Sequence, residues 1–94
     1  MKDEKRLGQL EALYKAFCVL ENEKEVENFL YDLCTTGELS AMAQRLQVAK
    51  MLTDKAPYNE IEKETSASSA TISRVSTYLN KKGSNGYKTV IERL

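Results

Sequence analysis

The chain has 94 residues, with 14 basic and 14 acidic side chains, a formal charge of zero and no histidine. A chain of this length allows one domain, residues 1–94, which buries about 60–65% of its unfolded surface, so pairing with a second copy is a natural route to a larger core. The missing imidazole removes the commonest general base and metal ligand, and with them ordinary hydrolytic enzymes, while one proline and four glycines beside 30% charged residues favour helix over a turn-rich sandwich.

The first ten residues, MKDEKRLGQL, place charges where a signal peptide needs its apolar run, and no later stretch approaches the ~20 apolar residues of a membrane span. A cytoplasmic protein with no membrane partner is expected. Over residues 3–20, Leu7, Leu10, Leu13, Tyr14, Phe17, Cys18 and Leu20 recur every three or four positions and predict a first amphipathic helix. Asn22 followed by Glu25 is a capping pair for a second helix, in which Val26, Phe29, Leu30, Leu33 and Cys34 continue the spacing. Cys18 and Cys34 lack zinc or redox spacing and read as small buried hydrophobes, and neither a metal nor a cofactor is expected.

Thr35 stands three residues before Glu38, the spacing of a capping box, so a third helix should start there and run through Leu39, Met42, Ala43, Leu46, Ala49 and Leu52. It should stop near Lys55, because Pro57 disfavours a helical Ala56. Two short helical patterns follow, over residues 58–65 and 69–81. The turn signal KGSNG at residues 82–86 and a last amphipathic segment with Val90, Ile91 and Leu94 complete a map of six helices and no strand. The fold class is therefore all-α.

Residues 58–80 have the parts of a helix-turn-helix: an apolar anchor in the first helix, a tight turn, and a second helix with one face packed and the other free to enter a major groove. Ile61 is the anchor, Ser66-Ala67-Ser68 the turn, Ser68 or Ser69 the cap, and Ile72, Val75 and Leu79 the inner face. Ser69, Ala70, Ser73 and Thr77 fall on the outer face. They are small and mostly hydroxylic, which permits close approach to bases and phosphates, and Ala70 suits a thymine methyl. Ser66 stands where such turns often need glycine for a positive φ. The charge distribution leans the same way: residues 1–34 carry five basic and eight acidic side chains, residues 58–94 six and four. A mildly basic C-terminal third is compatible with DNA.

The run SSATISR at residues 68–74 resembles the recognition helix of the Trp repressor superfamily, and QRLQVAKML at 44–52 resembles its preceding helix. The whole chain is similar to the Trp-repressor-like YerC/YecD group of bacterial proteins. The resemblance implies a six-helix, intertwined homodimer that presents two reading heads to double-stranded DNA as a transcriptional regulator, a repressor in the family's pattern, associated with the nucleoid when bound. The candidate DNA-binding residues are Ser68, Ser69, Ala70, Thr71, Ser73, Arg74, Thr77, Arg45 and Lys81.

In the Trp repressor two arginines sandwich the indole of tryptophan, and Arg45 and Arg74 match them, with Thr35 matching a pocket threonine. A small-molecule effector at Arg45, Arg74 and Thr35 is thus implied as an option. L-tryptophan is disfavoured, since the family's small residue after the second arginine is here Val75 and its ligand-contacting serine is Tyr78. The rival reading is a helical protein-interaction module that has lost specific DNA binding, supported by zero net charge and by Glu60, Glu62 and Glu64 on the first motif helix. An enzyme has only unpaired carboxylates and hydroxyls in its favour.

Overall fold

The computed structural model describes residues 2–94, and all six of its helices lie where periodicity and capping place them: α1 (Lys2–Cys18), α2 (Glu23–Leu33), α3 (Thr36–Thr53), α4 (Tyr58–Thr65), α5 (Ser69–Asn80) and α6 (Gly86–Arg93). There is no strand among the described residues. The chain divides into two compact units, residues 1–36 and 37–94.

In the first unit the Asn22 side chain accepts the Glu25 N–H at 3.0 Å, and a Glu25 carboxylate oxygen accepts the Glu21 N–H at 2.8 Å. The Asn22 cap starts α2 and stabilises it by about 1 kcal/mol, and the Glu25 carboxylate holds the residue before the cap. The acidic Asp3 and Glu4 in the first turn of α1 and Lys15 in its last complement the helix dipole. Phe17 and Phe29 join the two helices edge to face, with centroids 5.4 Å apart. No described residue of this unit is buried: Leu7 is 62% exposed, Tyr14 61%, Val19 73% and Tyr31 70%. Cys18 is exposed and Cys34 half-buried, which corrects the expectation of two buried thiols. The cause is that the apolar faces of α1 and α2 are at most half-buried within their own unit.

The second unit owns the core. Val48, Ala49 and Met51 of α3, Ile61 of α4, Ala67 of the turn, and Ile72 and Val75 of α5 form one buried cluster, flanked by Leu52, Ala56, Tyr87 and Ile91. Leu79 is buried as well. Ile91 thus fastens α6 to the core, while Val90 and Leu94, the other apolar residues of that segment, are exposed.

The helix ends are set by backbone geometry. After α3, the Lys55 N–H donates to the Leu52 carbonyl and the Ala56 N–H to that of Met51, both at 3.0 Å, with Lys55 left-handed at φ 65. This is the paired hydrogen bonding of a Schellman motif, closed by a lysine in the position usually given to glycine. Gly83 follows α5 so closely that a Cβ there would overlap the Tyr78 carbonyl, so only glycine fits.

Candidate nucleic-acid interface

The turn between α4 and α5 is built from the backbone outward. Thr65 donates its hydroxyl to the Ile61 carbonyl at 2.7 Å and accepts the Ala67 N–H at 3.1 Å. Ser66 takes the left-handed conformation, φ 61, and its N–H donates to the Glu62 carbonyl, so the serine adopts the geometry for which this turn often uses glycine. Ala67 then drops into the core, 4% exposed, and Ser68 caps α5 by accepting the Thr71 N–H at 3.1 Å. Of the two candidate caps, Ser68 is the one used. From α3, the Gln44 side-chain amide donates to the Thr65 carbonyl at 2.9 Å and ties that helix to the end of α4.

Because Ile72, Val75 and Leu79 are buried along one stripe of α5, the helical period puts Ala70, Ser73, Arg74, Thr77 and Lys81 on the opposite side. Ala70, Ser73, Arg74 and Lys81 are exposed, and Thr77 is half-buried. Ser69 and Ser76 lie to one edge of this face, and Thr71 and Tyr78 to the other. The face therefore gathers Ala70, Ser73, Arg74, Thr77 and Lys81 at its centre, with Ser68, Ser69 and Thr71 around the N-terminal end of the helix.

Several hydroxyls on this surface already have work. Thr77 donates to the Ser73 carbonyl at 3.0 Å, and Ser68 donates to the Thr71 hydroxyl at 3.1 Å. Asn80 sends its side-chain amide back to the Ser76 carbonyl at 3.1 Å. Arg74 places its guanidinium 4.9 Å from the centre of the Tyr78 ring, a cation–π contact one helical turn long. Tyr78 entered the sequence reading only as an obstacle to a ligand. The signal that marks it as the partner of Arg74 is their i,i+4 spacing.

Of the other candidates, Arg45 is exposed on α3, and Thr35 lies in the first unit, whereas Arg45 and Arg74 belong to the second. Glu60, Glu62 and Glu64 are all exposed on α4 and give the first motif helix an acidic surface. No group of three or more His, Cys, Asp or Glu residues among the described residues could hold a metal ion, and no described helix is long and apolar enough to cross a membrane.

Six helices, with the fourth and fifth joined by a tight turn around Ile61, Ala67 and Ile72 and the fifth presenting a small-residue outer face, define an all-α helix-turn-helix protein with a Trp-repressor-like fold. The chain belongs to the Trp repressor protein family, whose sequence profile matches residues 8–94. It is 41% identical to the uncharacterised protein YerC of Bacillus subtilis (strain 168) over 92 residues, covering 98% of this chain and 88% of YerC. Among solved structures it resembles a candidate Trp repressor from Staphylococcus aureus, with a TM-score of 0.86, 43% identity, and 92% and 85% of the two chains covered. A TrpR-like protein from Eubacterium eligens ATCC 27750 matches with a TM-score of 0.86, 42% identity, and 92% and 88% coverage.

Proposed function

We propose that the protein is a homodimeric, sequence-specific DNA-binding regulator of transcription, a repressor in the pattern of its family, that reads the major groove with α5. The observation that carries this reading is the outer face of α5, where small exposed residues stand on a helix whose opposite side is locked into the core by Ile72, Val75 and Leu79. A rigid helix with short side chains comes close to base edges. Ser69, Ala70 and Ser73 meet bases, Ser68, Thr71 and Thr77 serve the N-terminal end and the flank, and Arg45 and Lys81 contact phosphates. Residues 1–94 act as one domain, completed by the partner. The exposed Leu7, Tyr14 and Phe17 on one face of α1 support the dimer, since two helices with no buried described residue need another surface to hold them.

Regulation does not run through L-tryptophan. Val75 is committed to the core, and the Tyr78 ring, in the family's ligand-contacting position, already lies against the arginine that would stack on an indole. Another small effector would have to reach Arg45 without displacing that ring. One observation favours a second reading, a protein-interaction module: the acidic surface of α4 repels phosphates on the flank of the reading helix.

Selection of bound sequences from a random duplex pool at physiological salt separates the two. The regulator enriches a palindrome with half-sites about one helical turn, 10–10.5 base pairs, apart, and Ser73→Glu, which puts a carboxylate against the groove, abolishes the enrichment while leaving the melting temperature unchanged. A pool that stays random through repeated rounds overturns the DNA reading and leaves the interaction module.

A further inference from the structure

We infer that Arg74 reads a guanine in each half-site and that Tyr78 positions it for this task, an assignment that rests on the DNA-reading role proposed above. Guanine presents two acceptors, O6 and N7, side by side on its major-groove edge, and a guanidinium meets them with two parallel N–H donors. No other side chain on the outer face of α5 offers that pair. Ser73 has a single hydroxyl. Thr77 spends its proton on the Ser73 carbonyl, and the Asn80 amide turns back to the Ser76 carbonyl. Lys81 is a point charge at the far end of the helix, suited to a phosphate.

Three features prepare Arg74 for a base rather than a phosphate. Its neighbours on the face, Ala70, Ser73 and Thr77, are short, so the helix can lie close enough to the groove floor for the arginine to run along base edges. Its guanidinium carbon lies over the Tyr78 ring, 4.9 Å from the centroid, a contact with the π face that uses none of its N–H donors on a hydrogen-bond acceptor. It makes no ion pair among the described residues, so no carboxylate competes for those edges. Tyr78 is 41% exposed, so its ring stays at the surface beside the arginine.

Lysine in place of Arg74 keeps the charge and removes the paired donors, which makes Arg74→Lys the deciding variant. Full-length wild-type protein, Arg74→Lys, Tyr78→Phe and Tyr78→Ala are each carried through selection from the same random duplex pool. The preferred wild-type site is then compared with versions carrying each other base at the selected guanine. Wild type is expected to select one fixed guanine per half-site and to prefer it by on the order of 10- to 100-fold. Arg74→Lys loses that preference while its binding to unrelated duplex and its salt dependence stay close to wild type. Tyr78→Phe retains the preference, and Tyr78→Ala weakens it about two- to fivefold at an unchanged melting temperature.

A guanine column that survives Arg74→Lys, or an equal loss of affinity for every base at that position, makes Arg74 a phosphate contact and overturns the inference with the DNA reading intact. A wild-type pool without any enrichment overturns the DNA reading, and the inference with it.

Discussion

Ser66 holds the turn of the reading head in a conformation that its side chain opposes. At φ 61 it is left-handed, which costs an L-residue roughly 1–2 kcal/mol. Glycine would remove that strain and lose about 0.5–1 kcal/mol to backbone entropy, so Ser66→Gly should raise stability by up to about 1.5 kcal/mol. Urea unfolding should show a higher midpoint at an unchanged slope, and a lower midpoint would mean that the serine hydroxyl contributes more to the turn than its backbone costs. The position was legible in the sequence as a turn residue with the wrong chemistry for its φ. Tyr78 was legible only as the i,i+4 neighbour of Arg74, because that spacing allows a contact without fixing which way the guanidinium turns. In the folded helix the Arg74 guanidinium lies over its ring.

The elements were legible where side chains define them. Asn22 before Glu25, and Ser68 before the apolar run of α5, announce helix starts because their oxygens satisfy N–H groups that the helix cannot. The helix ends were harder. Pro57 gave a stop for α3, yet the helix already finishes at Thr53, through backbone bonds closed by a left-handed Lys55. A lysine gives no hint of that geometry, whereas Gly83, which sits against the Tyr78 carbonyl after α5, was visible as a turn signal. The weight carried by one cap can be measured: Ser68→Ala should cost about 1 kcal/mol and lower the melting temperature by roughly 4–8 °C. An unchanged melting temperature would show that Ile72 and Val75 hold the start of α5 without help.

For the whole molecule, the two units were legible to different degrees. The apolar residues of α3, α4 and α5 became the core, because the partners of Val48, Ile61, Ile72 and Val75 all lie within the same chain. The equally regular stripe of α1 and α2 did not: Leu7, Tyr14 and Cys18 are exposed, and Leu10, Leu13 and Leu30 are only half-buried. Periodicity reports that a face is apolar and says nothing about which surface will cover it, so a homodimer belongs to the proposal rather than to the fold. Its consequence is geometric: two copies of α5 related by a two-fold axis must meet one duplex in successive major grooves. Methylation protection of guanine N7 on the selected duplex, combined with the stoichiometry of the complex by sedimentation, tests this most directly. Two protected major-groove patches about 10–10.5 base pairs apart, with two protomers per duplex, are expected. A single patch bound by one protomer, or a duplex left unprotected at saturating protein, would contradict this arrangement.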